Sequence, residues 1–365
     1  MITQFKLGIM ALYLKAGKIE EKPLFRRFII AAEQMRIDAF VFTPEDVQGE
    51  KMRINAHIFD RRRALWRRQW MPFPDLIFDR CRYQSSARFR QLRDFRARYD
   101  HILYMNRPLA NKWAIHQLLS KEPEIAAHLP ETEMYRTTAG LSHFAKKHRQ
   151  VFVKPINGTG GRGVIRIGSL GQGMYTLTGR NRSRIIITPR KLNLLGIGKW
   201  LQSNGLSERC IMQQGIESTL PTGRVHDYRL LMQKNGDGVW TMTGCAGRVG
   251  AQRSVTSNLH GGGKAVAMKT LLRSTFHHES KVNSIAQEME KLGKKVVSRL
   301  ESQYKDMCEL ALDIAVDRQG KVWLLETNPK PAREVFRRIG ELETYRQTIL
   351  RPLEYARWLF TNAKK

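Results

Sequence analysis

Residues 152–164 read Phe-Val-Lys-Pro-Ile-Asn-Gly-Thr-Gly-Gly-Arg-Gly-Val, and they carry the strongest local signal in the chain. The residues before the glycines favour a strand that carries Lys154 to its end, and a second strand resumes after them. Four glycines within six residues expose backbone N–H groups to an anion. A Walker A loop is excluded because no Gly-Lys-Ser/Thr closes the run, and a Rossmann loop is excluded because a strand follows rather than a helix. The stretch therefore predicts a hairpin that covers phosphate, and a flexible turn is the alternative.

Two further predicted strands, at residues 309–316 and 322–327, carry oxygen ligands. Asp313 lies on the first strand, and Glu326 and Asn328, two residues apart, project from one face of the second. Apolar residues flank these strands, so the carboxylates are expected in a mostly buried sheet, where charge needs a partner. Mg²⁺ binds a few carboxylate or amide oxygens and completes its octahedron with water and substrate phosphates. The three residues therefore predict a magnesium site, with an ordinary polar hairpin as the alternative.

A polar segment lies between these two regions. Arg229 stands near the start of one predicted strand, and Arg248 stands at the end of the next. A guanidinium group holds phosphate oxygens in bidentate fashion, which a lysine cannot do, so both arginines are candidates for phosphate contacts. A second glycine-rich loop, residues 258–264, is expected to cover the anion from the other side. His260 in this loop is expected to face water and to have no catalytic role.

The order of these motifs resembles that of ATP-grasp enzymes: a lysine, a glycine-rich hairpin, two arginines, then an aspartate and a Glu-x-Asn. Finer features resemble the YheC/YheD family, which is associated with bacterial spore coats. The motifs that carry this resemblance are Phe-Val-Lys-Pro, Gly-Thr-Gly-Gly-Arg-Gly, His-Asp-Tyr-Arg, Ser-Asn-Leu-His-Gly-Gly-Gly and Leu-Glu-Thr-Asn-Pro-Lys-Pro. The resemblance spans nearly the whole chain and is weakest before residue 100. It implies an α/β protein in which an ATP-grasp fold, whose two α+β lobes clamp ATP and Mg²⁺, follows a small α/β pre-ATP-grasp domain.

The resemblance also implies roles for individual residues. Arg229 and Arg248 act catalytically on the transferring phosphoryl group or the acyl phosphate. Many relatives have an acid where this chain has Gln213, so the adenine contacts depart from the family pattern. The residues expected to contact ATP phosphates are Lys112, Lys154, Gly158, Thr159, Gly160, Gly161, Arg162 and Gly163. The strand between the lobes, whose backbone meets adenine and whose acid meets the ribose, comprises Gln213, Gln214, Gly215, Ile216 and Glu217. The Mg²⁺ ligands are Asp313, Glu326 and Asn328.

In ATP-grasp ligases a carboxylate attacks the γ-phosphate of ATP, and a nucleophile then displaces phosphate from the acyl phosphate. The resemblance therefore implies a ligase that joins a carboxylate to an amine or a related nucleophile, associated with spore-coat or cell-surface assembly. Such a protein needs positioning and charge neutralisation rather than a nucleophile of its own. The alternative is a non-catalytic, ATP-binding scaffold of the spore coat. Residues 170–181 and 219–224 are expected to form loops that recognise the substrate.

The charge of the chain indicates an anionic partner. Lysine and arginine outnumber aspartate and glutamate by 63 to 33, which gives a net charge of +30 and a pI near 10.4. Such an excess concentrates polyanions, so an acidic peptide or an anionic polymer is a candidate substrate, and nucleic acid stays open as a third class of partner. Most individual basic residues are expected to face water. They cluster at Arg61, Arg62, Arg63, Arg67 and Arg68, at residues 80–98 and at residues 180–191.

Length and composition predict two domains. The 365 residues, 42% of them hydrophobic, exceed what one small core requires. Asn106-Arg107-Pro108 interrupts the helical pattern, which places the boundary between domains 1–105 and 106–365. No run approaches the roughly 20 apolar residues of a membrane helix and no signal peptide is recognised, which predicts a soluble cytoplasmic protein, spore-associated if the family resemblance holds. The four cysteines form no CxxC pair and are expected to be buried or idle thiols.

Hydrophobic periodicity predicts the secondary structure. In the first domain the predicted elements are strands at residues 5–14, 38–43 and 75–78, a helix at 24–36 and a basic helix at 85–99. In the second domain they are helices at 112–119, 280–304 and 345–360, the last interrupted near Pro352, and strands at 151–156, 164–167, 184–188, 210–214, 225–234, 239–248, 309–316 and 322–327.

Overall fold

Three β-sheets organise the chain. The structure is a computed structural model that describes residues 5–14, 17–82, 87–158, 160–252, 254–257, 259 and 262–363. The strands in this part of the chain form sheets of seven, six and five strands.

The first sheet has a parallel centre and an antiparallel hairpin. Its elements are β1 (Lys6–Met10), α1 (Lys22–Gln34), β2 (Asp38–Phe42), β3 (Val47–Gln48), β4 (Arg53–Asp60), β5 (Leu65–Pro72), β6 (Leu76–Asp79), α2 (Ala87–Arg98) and β7 (Leu103–Met105). The strand order is β3-β4-β2-β1-β6-β7, with β5 paired to β4. β1 pairs in parallel with β2 and β6, and β6 with β7. All of β6 is buried because α1 and α2 contribute to cores on opposite faces of this sheet.

The second sheet is antiparallel and packs helices against one face. Its region contains α3 (Lys112–Leu119), α4 (Pro123–Ala126), β8 (Thr132–Met134), α5 (Thr138–Lys147), β9 (Gln150–Pro155), β10 (Ile165–Gly171), β11 (Met174–Arg180), β12 (Ile186–Asn193), α6 (Leu194–Ser203) and β13 (Cys210–Gln214). The strand order is β12-β11-β10-β9-β13-β8. Alternate residues of β9, β10 and β11 pack with α5 and α6, so the other face of these strands carries the polar side chains.

The third sheet is antiparallel and carries the long helix on one face. Its region contains β14 (His226–Lys234), β15 (Trp240–Val249), β16 (Lys264–Ala267), α7 (Met268–Arg273), α8 (Glu279–Gln303), β17 (Glu309–Val316), β18 (Val322–Asn328), α9 (Glu334–Arg338) and α10 (Leu342–Asn362). The strand order is β16-β15-β14-β17-β18. All eight residues of β17, a central strand, are buried. Helix α8 buries one apolar side, from Val282 to Leu300, against this sheet.

Helix α10 connects the third sheet to the first. Its residues Ile349, Leu353 and Phe360 share a core with Phe5 and Phe28. The rings of Phe5 and Phe360 are stacked with centroids 4.6 Å apart. The predicted first domain therefore shares its core with the last helix, and the boundary at residue 106 stays a prediction.

A buried ion cluster lies at the same junction. Glu309 is 0% exposed, and Arg80 and Arg333 are each 2% exposed. Arg80 Nη1 donates to Glu309 Oε1 at 2.5 Å, and Arg333 Nη2 donates to Glu309 Oε2. Arg80, in the basic run at 80–98, is therefore an exception to the expectation that most basic residues face water, because a carboxylate 229 residues away neutralises it in the interior.

The sequence predicted the central strands well and the edges poorly. Helix 112–119 and strands 210–214 and 309–316 have the predicted bounds. The hairpin β4–β5 was not predicted, and the strand predicted at 184–188 lies at Ile186–Asn193. Residues 170–181, predicted as a loop, contain strand β11. Ser85, the predicted start of the basic helix, lies outside the described residues.

Helix α10 continues through Pro352, contrary to the predicted interruption. Proline has no N–H group, so the Thr348 carbonyl one turn earlier loses its usual partner. Gln233 Nε2 donates to this oxygen at 3.1 Å, and Arg333 Nε donates to it at 3.0 Å. Two buried side chains thus replace the missing bond.

The four cysteines are buried free thiols, as predicted. None of the described helices has the length and apolar character needed to span a membrane.

Candidate active site

A cavity of about 670 Å³, called the cleft below, lies between the second and third sheets. Its walls come from β9, β13 and the glycine hairpin on one side, and from β14, β17 and β18 on the other. The predicted site residues that line it are Lys112, Lys154, Gly158, Gly160, Gly161, Arg162, Gln213, Gln214, Ile216, Arg229, Arg248, Asp313, Glu326 and Asn328. Gly163, Gly215 and Glu217 do not line it, and Thr159 lies outside the described residues.

The Arg229 guanidinium forms a bidentate ion pair with Asp313 on the neighbouring strand. The register of β14 and β17 pairs these two residues, and the register of β17 and β18 pairs Asp313 with Glu326. Arg229 Nε donates to Asp313 Oδ1 at 2.9 Å, and its Nη2 donates to Oδ2 at 2.9 Å. Asn328 Nδ2 lies 3.4 Å from the same Oδ2. Strand pairing therefore brings the predicted metal ligands together with one predicted catalytic arginine.

Arg248 is held by two carboxylates. It lies opposite Asp227 in the sheet, and its Nε and Nη2 donate to the two Asp227 oxygens at 2.7 and 2.6 Å. Its Nη2 also lies 3.1 Å from Asp313 Oδ2. Burial acts to raise the pKa of Asp313, but the charges of Arg229 and Arg248 hold that pKa below its usual value. Asp313 is therefore ionised at neutral pH, and both guanidinium groups have fixed orientations.

The oxygen donors around Asp313 fit Mg²⁺ bound together with a nucleotide. The Glu326 side chain is 27% exposed, and its Oε1 lies 3.4 Å from Lys112 Nζ. Two carboxylates and one amide on adjacent strands are hard donors of the kind that Mg²⁺ takes. Within the described chain no three His, Cys, Asp or Glu side chains form a metal-binding group. Three side chains would not fill the six positions that Mg²⁺ takes, so water and phosphate oxygens would supply the others.

Lys154 reaches the cleft from the second sheet, whereas Lys112 reaches it from helix α3, which packs against α8 of the third sheet. Lys112 is the first residue of α3, whose N-cap Asn111 accepts hydrogen bonds from two backbone N–H groups, and its Nζ donates to the Gly158 carbonyl. Lys154 Nζ donates to Gln213 Oε1 at 2.6 Å. Burial lowers the pKa of Lys154 to about 8, with the charge of Glu326 acting against this effect. An anion in the cleft therefore stabilises the charged form of Lys154.

The hairpin after β9 requires glycine at particular positions. Gly160 and Gly163 both have φ of +67°, in the left-handed region. A Cβ atom on Gly160 would lie 2.6 Å from Arg184 Nη2, and one on Gly163 would lie 3.0 Å from Pro155. The hairpin therefore lies under the Arg184 side chain, and Gly163 packs against strand β9 rather than facing the cleft.

The segment predicted to contact adenine lines the cleft as far as Ile216, and Glu217 lies outside the cleft. Gln213 is buried and donates to Thr132 Oγ1 at 3.2 Å, and Gly215 N donates to the Gln150 carbonyl at 2.8 Å. Glu217 is exposed and lies 3.9 Å from each of two arginines, Arg149 and Arg318. The ribose contact predicted for Glu217 stays a prediction, and the structure places this carboxylate outside the cleft.

His226, Arg166 and Arg184 are among the cleft residues for which no role was predicted. His226 is buried, and its Nδ1 has no hydrogen-bond partner among the described residues. Burial lowers the pKa of His226, which favours the neutral ring. Arg166 and Arg184 also line the cleft. The spacing of the glycine hairpin gives no signal for these arginines, and strand alternation assigns His226 to the apolar side of β14 with Tyr228.

Part of the second glycine-rich loop can be placed. Ser257 and Leu259 line the cleft, in agreement with a loop that covers it. Asn258, His260 and Gly261 lie outside the described residues, so the predicted absence of a catalytic role for His260 stays a prediction.

Comparison with known proteins agrees with the resemblance of the motifs. The profile of the family described as YheC/D like ATP-grasp matches residues 101–359. The endospore coat-associated protein YheC of Bacillus subtilis (strain 168) is 27% identical over 367 residues, covering 99% of this chain and 97% of YheC. The endospore coat-associated protein YheD of the same organism is 24% identical over 343 residues, covering 93% of this chain and 74% of YheD.

Two solved structures share the fold. The ATP-grasp ligase PsnB, complexed with minimal precursor, has a TM-score of 0.52 at 12% identity and covers 93% of this chain and 95% of its own. The D-cycloserine synthetase DcsG has a TM-score of 0.54 at 14% identity and covers 94% of this chain and 98% of its own. At these identities the likeness establishes the fold alone, and the predicted ATP-grasp fold is confirmed. Since the family profile matches most of the chain, this protein belongs to the YheC/D-like family of ATP-grasp proteins.

Proposed function

We propose that this protein is an ATP- and Mg²⁺-dependent ligase that activates a carboxylate as an acyl phosphate and joins it to an amine or a related nucleophile. The cleft supports the proposal most strongly, because Lys112 Nζ, which donates to the Gly158 carbonyl of the glycine hairpin, lies 3.4 Å from Glu326 Oε1. Cations suited to phosphate thus face the oxygen donors suited to Mg²⁺. A nucleotide with its metal ion satisfies both sides at once.

One wall of the cleft is assigned to the nucleotide. Lys112 stands at the N-terminus of α3, where the helix dipole also favours an anion. Lys154 adds a second ammonium group, and the glycine hairpin offers backbone N–H groups to the phosphates. The backbone of residues 213–216 is assigned to adenine.

The opposite wall is assigned to Mg²⁺ and to the transferring phosphoryl group. Asp313, Glu326 and Asn328 hold Mg²⁺, which supplies neutralisation of phosphate charge when bound. Arg229 and Arg248 lie beside these ligands with their forks oriented by Asp313 and Asp227. Preoriented cations stabilise charge that develops in a transition state without reorganisation.

The proposed reaction has two steps. A carboxylate oxygen of the substrate attacks the γ-phosphorus, and ADP leaves with the bonding electron pair. The nucleophile then attacks the acyl carbon, phosphate leaves, and the amine proton passes to solvent. Because the relatives YheC and YheD are named as endospore coat-associated, we assign the reaction to spore-coat or cell-surface assembly.

A non-catalytic ATP-binding scaffold is the second candidate function. Asp313 forms ion pairs with Arg229 and Arg248, so the third sheet neutralises its own buried charges. A protein whose cleft serves only as a structural element also needs this neutralisation.

The decisive test measures ADP release with pools of acidic amino acids, acidic peptides and cell-wall fragments. Hydroxylamine is added to convert an acyl phosphate to a hydroxamate, which mass spectrometry detects. We expect ADP and hydroxamate together from at least one pool, loss of both in Glu326→Gln, and retention of both in Glu133→Gln, a control on an exposed residue of β8. ADP without hydroxamate contradicts the acyl phosphate. ATP binding without ADP release in every pool favours the scaffold.

A further inference from the structure

The part of the chain that builds most of the second sheet contains no acidic residue. Residues 150–207 include nine lysines and arginines and no aspartate or glutamate. These nine are Lys154, Arg162, Arg166, Arg180, Arg182, Arg184, Arg190, Lys191 and Lys199. Surface cations are normally interspersed with anions, so this local excess leaves a positive field over one lobe.

Strand register places several of these cations on the polar face of the sheet. Arg166 lies opposite Phe152 on β9 and opposite Thr178 on β11, and Lys191 on β12 lies opposite Thr176. Cross-strand partners share a face, and residues two apart on one strand do so as well. Arg180, two residues after Thr178, therefore projects from the same face, on the side of Thr178 away from Thr176 and Lys191. The opposite face packs against α5 and α6.

This set of cations begins in the cleft and extends out of it. Lys154 and Arg166 line the cleft, whereas Arg180 and Lys191 lie on the next strands beyond its wall. Neighbouring strands lie about 4.8 Å apart, so the distance from β9 to β12 is about 14 Å, which is about four residues of an extended chain. We call Arg166, Arg180 and Lys191 the cationic track.

Two of the three track cations have no carboxylate partner among the described residues, since neither Arg166 nor Lys191 forms a salt bridge there. Arg166 Nε donates to Thr178 Oγ1 at 3.2 Å, a neutral partner. Arg180 Nη1 donates to the Arg184 carbonyl at 3.2 Å, which is also neutral. Arg184, at the cleft end of the same lobe, has a pKa lowered by burial and by the charges of Arg162 and Arg180. A local excess of cations of this kind favours an anionic ligand.

We propose that the cationic track binds an acidic polypeptide in extended conformation and leads one of its carboxylates into the cleft. This inference rests on the proposed function in one respect: a reaction that consumes carboxylates selects a polymer that carries them. The track also lacks the stacking surface of a single-stranded nucleic-acid site. Between Arg166 and Lys191 the polar face presents Thr176 and Thr178 rather than aromatic rings.

The test measures binding without requiring turnover. Fluorescein-labelled octaglutamate is titrated with the full chain in saturating ADP and Mg²⁺, so that the nucleotide part of the cleft is occupied. The track variant is Arg180→Gln/Lys191→Gln, because neither residue lines the cleft. The matched control is Arg62→Gln/Arg67→Gln, which removes the same charge from exposed positions on the β4–β5 hairpin. Thermal unfolding confirms that all variants are folded.

We expect the track variant to bind octaglutamate about 2- to 30-fold more weakly than the wild type, the range for two exposed charge contacts. The control variant should change this affinity less than twofold, and both should bind ATP like the wild type. If both variants bind octaglutamate equally weakly, net charge alone explains the loss of affinity and the proposal is overturned. Tighter, track-dependent binding of an octamer of thymidylate would assign the track to nucleic acid instead. If octaglutamate binding depends on the track but no ADP is released with any substrate pool, the proposed ligase activity is refuted and the proposed peptide-binding track is not.

Discussion

Raising the pH from about 7.5 to about 9.5 should weaken ATP binding, because Lys154 loses its proton in this range. Burial lowers the pKa of Lys154 to about 8, and the nearby charge of Lys112 contributes in the same direction. At the lower pH about three-quarters of Lys154 is charged, and at the higher pH about 3% is charged. If ATP binds only the charged form, the affinity falls about 25-fold, equivalent to about 2 kcal/mol.

The loss of affinity should not come from unfolding. A lysine whose pKa is lower in the folded state than in the unfolded chain binds fewer protons when folded, so its contribution to stability rises with pH between about 8 and the ordinary value. The terminal phosphate of ATP titrates near pH 6, as in other phosphate monoesters, which is below the range tested. The pH dependence therefore reports on the protein.

Isothermal titration with ATP in saturating Mg²⁺ measures the effect, and Lys154→Arg is the matched control. Arginine keeps its charge throughout the range, so the variant should show an almost constant affinity. Lys330 also lines the cleft with a pKa lowered by burial, and it is unchanged in the variant. Equal pH slopes in the wild type and Lys154→Arg would refute the assignment of the titration to Lys154.

Three further predictions follow from the buried charges and the net charge. Arg248→Ala leaves the Asp227 carboxylate buried without its guanidinium partner, so urea titration should show the free energy of unfolding reduced by about 3–5 kcal/mol. If the folded variant loses no more turnover than ATP affinity, the proposed role of Arg248 in phosphoryl transfer is wrong. Glu309→Ala leaves Arg80 and Arg333 without this carboxylate in the interior and should lower the free energy of unfolding by a similar amount. A decrease below about 1 kcal/mol would contradict the buried ion cluster. The affinity for an anionic polymer should fall steeply as the salt concentration rises, while the affinity for ATP should fall less. A polymer affinity that does not change with salt would contradict capture of the polymer by charge.

Features set by local spacing could be predicted from the sequence. Glu326 and Asn328 share a strand face because side chains alternate with a period of two, and both line the cleft as expected. The glycines of the hairpin were recognised because left-handed backbone favours glycine, and Gly160 and Gly163 have positive φ. Such features depend on a few neighbouring residues.

Features set by distant strand pairing could not be predicted. The fork of Arg229 on Asp313 joins residues 84 apart, and the pair of Arg80 with Glu309 joins residues 229 apart. Residues 170–181, predicted as a loop, contain β11, where Gly179 has φ of +148° inside the strand. A Cβ atom there would lie 2.2 Å from the Val164 carbonyl oxygen, so this glycine marks a close backbone approach rather than a loop.

Calorimetry of Glu326→Gln tests whether the cleft binds ATP through Mg²⁺ held by the third sheet. Glu326 is the best ligand to change, because Asp313 also neutralises Arg229 and Arg248, whereas the Glu326 side chain is partly exposed. Titration with ATP, with and without Mg²⁺, should show that Mg²⁺ strengthens binding to the wild type. The folded variant should lose at least about tenfold of this affinity, as expected when a metal site loses a carboxylate. Undiminished Mg²⁺-dependent affinity in folded Glu326→Gln would contradict the account.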